Sequence, residues 1–411
     1  MTLTTTSDLR PELLLDPAVL DDPYPFYRQL VAEAPVWRIP GTDVVLVSSF
    51  EAISEVVHRT ADFSSNLLGL LYRKDDGTPG LQPFDPGIQA LATADPPQHA
   101  AHRSAIFPEL VARRMATLRE EVQELAVAHL EAALAPGRRV EAMAAIANPV
   151  PIRVVSKLIG FHDEDPDALL DVAFASTAML AATGTLDEQL AAMDTSMDAV
   201  AWIVGQVDGA VGGAPAEGIL GVVADAVNRG ELEVTDAFSV MATLLSAGGE
   251  STTSLLGNAL HHLATHPELQ RRLRERPEEL TPFIEEVLRL ESPFRYHLRH
   301  APAPTQLRGV EVPAGAAVLL LWGAANRDPA EFDRPDELVL DRPAPRHHLA
   351  FGRGIHLCVG APLARLEAEV ILAETLARTS HFELDPDDQP RLEPSLVVRR
   401  FSRLPLRIAP A

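Results

Sequence analysis

The stretch Phe351-Gly352-Arg353-Gly354-Ile355-His356-Leu357-Cys358-Val359-Gly360 holds the only cysteine in 411 residues and runs into a helix-like pattern from Ala361 to Arg378. A thiol at a helix start faces unpaired backbone N–H groups and the positive end of the helix dipole. Both favour thiolate over thiol, and a thiolate is a good metal ligand. Gly352, Gly354 and Gly360 bracket the cysteine. Glycine lets backbone turn sharply and approach a flat ligand closely, so something large is expected against this loop. By itself a lone cysteine reads as a buried core residue. A core cysteine has no use for this arrangement of glycines.

The spacing Phe-Gly-x-Gly-x-His-x-Cys-x-Gly, followed by Leu363-Ala364-Arg365, closely resembles the haem-binding loop of the cytochrome P450 family. The resemblance implies that Cys358 is the axial ligand of haem iron. It also places Phe351 and Gly352 against the cofactor, with His356 on a propionate. A thiolate axial ligand pushes electron density onto iron and favours O–O cleavage.

Composition agrees with a large buried core: 44.4 kDa with 46% hydrophobic residues, and no linker, repeat or low-complexity run divides the chain. One domain over residues 1–411 is the simplest organisation. A net charge of −23 argues against nucleic acid, which needs a basic surface. One cysteine excludes an internal disulfide framework and agrees with a reducing compartment. With no signal-peptide pattern and no apolar run of membrane-spanning length, a cytoplasmic protein without a membrane anchor is expected.

A second stretch, Ala247-Gly248-Gly249-Glu250-Ser251-Thr252-Thr253, interrupts the strongest helical pattern, Asp236 to about Ala264, with Asp236 as its cap. Each interior glycine costs roughly 0.5–1 kcal/mol relative to alanine, and such violations are expected at functional sites. Glycine makes room for a ligand against the helix, and hydroxyls bonding back one turn bend it, leaving a polar notch. The stretch resembles the family's Ala-Gly-x-Asp/Glu-Thr-Thr signature. There Glu250 and the following alcohol would manage proton delivery during dioxygen activation, with Gly248 against the cofactor. The alcohol here is Ser251, where threonine is usual. It keeps the hydroxyl but loses the methyl that locks the rotamer. Thr252, the other candidate, points about 100° further round the helix.

Elsewhere, Val36–Ile39 and Val44–Val47 read as a β-hairpin, followed by a helix from Phe50 to Arg59. Residues 63–93 look irregular, and the resemblance makes them the mobile loop over the substrate pocket. His99 and Arg103 share a helix face and, in the family, would contact haem propionates, as would Arg299. Helical pattern continues through 110–135, 139–160 and 165–212, with a break at Gly160 and residues 163–166; Phe174 to Met193 falls where the family places its lid helices. Thr281-Pro282 starts a helix carrying Glu286 and Arg289, which resembles the family's structural Glu-x-x-Arg lock. By resemblance Leu244, Ala247, Phe294, Arg295, Tyr296, Val397 and Val398 border the substrate pocket, the last two at the tip of a hairpin spanning Leu396–Leu406. An inward Arg295 would suit a substrate carboxylate. His262-x-x-x-His266 and the set His347, His348, His356 and Cys358 could be drawn as zinc sites, but the first lacks an acidic or cysteine partner nearby in sequence and sits at a helix end, and the second gives the glycines no role.

The resemblance spans about residues 20–408. It implies a mainly α fold with a small β region and haem b between the central helix and the cysteine loop. The implied activity is monooxygenation of a small organic substrate by dioxygen, with natural-product tailoring as the family's habitual setting. No flavin or iron–sulfur motif is present, so electrons are expected from a ferredoxin or flavodoxin-type donor with its reductase, docking near Arg103, Arg113, Arg114 and Arg353. A peroxide-driven peroxygenase, a haem-thiolate isomerase and a haem-based gas sensor are the alternatives. Glu250 with Ser251 disfavours the first two, which need no proton relay, and the sensor lacks a visible output domain.

Overall fold

The computed structural model describes residues 9–134, 139–161, 165–195 and 197–411. Its axis is a 32-residue helix, Val234–Thr265, against which pack helices Pro149–Ile159, Pro166–Ala178, Met197–Val211, Gly218–Asn228, Leu280–Leu290 and Ala361–Arg378. Contacts on all sides explain why its middle is apolar all round: Leu245, Leu255, Leu256, Leu260 and Leu263 are buried. Asp236 is not the cap itself. Glu233 caps the helix and Asp236 reaches back to accept the Glu233 N–H at 3.1 Å, a reciprocal pair. His266 leaves helical backbone just before Pro267 and ends it.

The β region centres on a four-stranded sheet ordered Val36–Arg38, Val44–Val47, Ala317–Leu320, His297–His300. The expected hairpin is present with Val36 opposite Val47, and Val44–Val47 runs parallel to Ala317–Leu320. The fourth of these strands, paired antiparallel with the third, delivers both Arg299 and His297 to the middle of the molecule.

Several expectations need correction. Residues 63–93 are not simply irregular, because Leu67–Arg73 pairs antiparallel with Pro79–Ile88, Leu71 facing Leu81. The turn is made by Asp76, which accepts from the Thr78 N–H, and by Gly77 at φ +82°. Prolines 79, 83 and 86 disguised the second strand, although an edge strand tolerates them. Residues 139–141 form a strand on Pro405–Pro410, and helix resumes at Pro149. The stretch 165–212 is three helices, Pro166–Ala178, Leu186–Thr195 and Met197–Val211. Gly160, at φ +97°, ends Pro149–Ile159 and Asp165 caps the next helix; Asp163 and Glu164 lie outside the described residues. The helix placed at Thr281-Pro282 starts one residue earlier, at Leu280. The C-terminal hairpin pairs Arg391–Leu392 with Phe401–Arg403, and Ser395 binds the N–H groups of Val397 and Val398 in its bend. Among the described residues no helix is long and apolar enough to cross a membrane.

Candidate active site

The cysteine loop is folded by its glycines and by one ladder bond. Cys358 N–H donates to Phe351 O at 2.9 Å, closing a turn in which Gly352 and Gly354 sit at φ +68° and +74°. At Gly354 a Cβ would lie 2.9 Å from Val57 O, so no side chain fits. The sulfur opens onto a cavity and is accessible there although desolvated. Burial pushes the Cys358 thiol up, with the Gly360 and Ala361 N–H groups pulling the other way. The helix start therefore acts as expected, but burial outweighs it. A coordinated metal ion would ionise this thiol outright.

The cavity holds about 1460 Å³ of empty space, part of it open to solvent. Most of its lining surface is apolar. The cysteine loop and its helix contribute Phe351, Cys358 and Leu363; the central helix contributes Leu244, Ala247, Gly248, Ser251 and Thr252.

His99, Arg103, Arg299 and His356 all line this cavity, as expected of them, and His297 joins them. The His99 and His356 rings lie 4.2 Å apart, and Arg103 donates to Leu357 O at 2.8 Å. Burial, then Arg299, pushes His356 down to about 3 and His297 to about 4, and burial brings Arg299 to about 10. The imidazoles are neutral and Arg299 stays cationic near neutral pH. Among the described residues neither Arg103 nor Arg299 has an ion pair, and Arg299 donates only to the neighbouring Leu298 O. Arg299 is buried with only the more distant Asp95 to offset its charge, and half-exposed Arg103 stands at the same cavity, so an anion there would be favoured. The two propionates of haem b fit that need, so the residues present fit the cofactor.

The notch behaves in part as foreseen. Ser251 Oγ donates back to Ala247 O at 2.6 Å, and Ser251 and Thr252 both face the cavity. Gly248 is explained differently: a Cβ there would come within 2.6 Å of Val155 Cγ2, so the glycine admits the neighbouring helix as well as a ligand. Glu250 turns away from the cavity. It is 1% exposed and accepts from Arg400 Nε at 3.0 Å and from the Thr177 hydroxyl, and burial raises its pKa despite them.

Of the expected pocket residues, Leu244, Ala247 and Phe294 line the cavity and Arg295, Tyr296, Val397 and Val398 do not. The Arg295 N–H bonds Val397 O at 2.8 Å, and its guanidinium reaches the other way to Leu20 O at 2.6 Å. Tyr296, Val397 and Val398 pack with Leu14, Leu20 and Tyr27 in a separate core. The inward Arg295 that would have received a carboxylate is therefore absent from this cavity.

Glu286 and Arg289 form a buried bidentate pair at 2.8 and 2.9 Å, and Arg342 joins at 2.9 Å. Sequence reasoning missed the neighbouring Glu285, which ties the cysteine loop from both sides through His348 and Arg365. It also missed Glu367, one helical turn and more beyond the cysteine. His347 and His348 are drawn to Glu331 and Glu285, and among the described residues no three His, Cys, Asp or Glu side chains converge as metal ligands.

A mainly helical chain with its sole thiol opening on such a cavity, and guanidinium groups at the edge, has the make-up of a haem-thiolate protein. The family model for cytochrome P450 matches residues 220–408. Cytochrome P450 144 of Mycobacterium tuberculosis (strain CDC 1551 / Oshkosh) is 41% identical over 392 residues, covering 95% of this chain and 89% of that protein. The chain belongs to the cytochrome P450 family. Beta-dihydromenaquinone-9 omega-hydroxylase of Mycobacterium bovis (strain ATCC BAA-935 / AF2122/97) is 30% identical, covering 96% of this chain and 78% of that protein. The crystal structure of CYP109E1 from Bacillus megaterium in complex with testosterone superposes with a TM-score of 0.83 at 25% identity, covering 95% of this chain and 99% of that one. The protein is thus a monooxygenase that uses haem b and dioxygen.

Proposed function

We propose that this monooxygenase oxidises a small apolar organic substrate in secondary metabolism, as a tailoring step, with electrons from a separate ferredoxin- or flavodoxin-type carrier and its reductase. One observation carries the site assignment: Cys358 and the pair Ser251 and Thr252 reach the same cavity from different elements. Cys358 would hold the iron of haem b and His99, Arg103, Arg299 and His356 its carboxylates, and the group would supply the oxygen chemistry. Leu244, Ala247 and Phe294 give substrate an apolar seat and exclude water. Ser251 holds a proton at its Oγ on the cavity wall, while the carboxylate of Glu250, its neighbour in sequence, is held away from the cavity by Arg400 and the Thr177 hydroxyl. The substrate class rests on the apolar lining and on relatives named for a menaquinone derivative and for a testosterone complex.

The carrier would dock where Phe107 and Ile355 are exposed beside Arg103, Arg113, Arg114 and Arg353. Arg114 is already held by Glu109 at 2.6 Å, so Arg113 is the freer cation. The test of the central claim is the carbon monoxide difference spectrum of the reduced protein: a red-shifted thiolate band is expected, and Cys358→Ser or Cys358→His should abolish it. Its absence in the unaltered protein would remove the assignment. For the carrier face, Arg113→Glu should slow carrier-driven reduction and leave dithionite reduction unchanged; equal slowing of both would rule that face out.

A further inference from the structure

The cavity is closed on one side and extended on the other. Towards the C-terminal hairpin it is shut by backbone bonds. Leu396 N–H donates to Ala181 O at 2.8 Å and Arg73 N–H to Gly184 O at 3.0 Å, so the loop after Pro166–Ala178 is stitched both to that hairpin and to strand Leu67–Arg73. Between the stitches Ala182 is fully buried at φ +56°, a conformation that a residue with a side chain keeps only when its surroundings hold it. Val397 and Val398 are occupied in the separate core behind this wall.

The other side follows the central helix. Thr243, Ala247 and Ser251 recur four residues apart on one face and all line the cavity, which therefore continues about 12 Å along the helix from Ser251 towards its N-terminus. Helix Pro149–Ile159 runs antiparallel to it, with Ile152 against Gly249 and Val155 against Gly248, so Leu158 and Ile159 fall beside the turn that holds Thr243. Ile219 is brought to them by a backbone contact: a Cβ on Gly218 would lie 2.5 Å from Leu158 O, and Gly160 and Gly218 both sit at positive φ. Only glycine lets these two chain turns touch. Leu158, Ile159 and Ile219 line the cavity there with Thr243, whose hydroxyl already donates to Ser239 O at 2.7 Å. The lobe is aliphatic and holds no donor waiting for a polar group.

We propose, on the basis of the monooxygenase reading above, that the substrate carries an aliphatic chain which extends from the reaction centre into this lobe, and that Leu158, Ile159, Ile219 and Thr243 set the length accepted. The hairpin tip, closed off by its stitches, takes no part in that choice.

Titration of the haem-loaded ferric protein with 1-alkylimidazoles, from methyl to octyl, tests this. The ring nitrogen ligates iron and shifts the Soret band to the red, so the readout is binding and not turnover. Each carbon buried in the lobe should tighten binding by up to roughly fourfold. Ile219→Phe should weaken 1-octylimidazole by about tenfold, the burial of roughly two carbons, and leave 1-methylimidazole within about twofold. Leu158→Phe should act in the same way from a half-buried position. Ile159→Ala added to Ile219→Phe should recover part of the loss, and Val398→Ala on the hairpin side should leave the series as it is. Affinity that does not rise with tail length would overturn the proposal, as would octyl binding to both phenylalanine variants within about twofold of the unaltered protein. Equal weakening of methyl and octyl in both would mean damage to the haem seat and also overturn it. Tighter octyl binding in Val398→Ala would move the lobe to the hairpin, with the same result. A carbon monoxide band missing from the unaltered protein would instead remove the monooxygenase reading.

Discussion

Glu285→Gln removes one negative charge from beneath the cysteine loop while keeping the shape of the side chain. Glu285 is fully buried on helix Leu280–Leu290. One oxygen accepts from Arg365 Nε at 2.6 Å and Arg346 Nε at 3.3 Å, and the other accepts from Arg365 Nη2 at 2.9 Å and meets His348 Nε2 at 2.9 Å. Burial alone would raise its pKa; the hydrogen bonds of His348 and Arg365 overcome that and hold it at about 2, against 4.5 for an ordinary glutamate. Between those values the unfolded chain binds the proton and the folded protein does not. Stability therefore rises with pH through this window, is fully present above about 4.5 and is lost as pH falls towards 2. At 1.36 kcal/mol per pH unit the contribution is roughly 3 kcal/mol. Urea unfolding should show Glu285→Gln less stable by about that amount at pH 7, with the gap narrowing below pH 4.5. Because Arg365 lies 4.4 Å over the Phe351 ring, the variant should also release haem faster, read from the Soret band. A gap below about 0.5 kcal/mol, or one that stays constant down to pH 3, would refute the assignment of the loop's tether to this charge.

The other predictions use different physics. Gly248→Ala places a methyl 2.6 Å from Val155 Cγ2 and should cost about 1–3 kcal/mol in thermal unfolding; Val155→Ala in the same chain should recover most of it. Arg289→Met leaves Glu286 buried with only Arg342 and the Val339 N–H and strands the carbonyls of Asn326, Pro335 and Glu337, so a loss of about 3–5 kcal/mol is expected in urea unfolding. Arg299→Leu removes a charge-assisted contact worth about 1.5–3 kcal/mol, so haem transfer to apomyoglobin should speed up roughly ten- to hundredfold. An unchanged transfer rate would place the propionates elsewhere.

The parts of the site legible in the sequence are those where backbone demands leave a mark. Gly354 is such a place, because its positive φ and the nearby Val57 carbonyl exclude any side chain. The notch at 247–253 is another, since glycines and hydroxyls inside an apolar helix break a local rule. Side-chain direction was not legible. Arg295 follows Phe294 on the same extended stretch, and only tertiary pairing with Val397 decides which of the two faces the cavity. Glu250 sits in the right motif, yet its carboxylate is claimed by Thr177 and Arg400, which lie 73 and 150 residues away. Glu285 and Glu367 left no mark because an acid in a helix is ordinary until burial makes it costly. The hairpin at 67–88 was hidden by prolines that are harmless only because of where that strand lies.

Charge shows the same limit of composition and how the fold overcomes it. The chain carries −23 overall, and an average over its surface would repel a dicarboxylate such as haem b. Folding separates the cavity edge from that average. The buried imidazoles of His99, His297 and His356 are held neutral, each shifted down first by burial. Positive charge at the cavity is carried by guanidinium groups, Arg299 with Arg103 and Arg353, and would face the two carboxylates of the cofactor. Were the imidazoles also charged, the edge would hold more cations than two propionates could offset, at the cost of burying them. Keeping them neutral lets them serve as hydrogen-bonding groups, as His356 does with Ser65 Oγ at 3.0 Å. This division into charged guanidinium groups and neutral imidazoles is a property of burial, and no count of basic and acidic residues along the chain contains it.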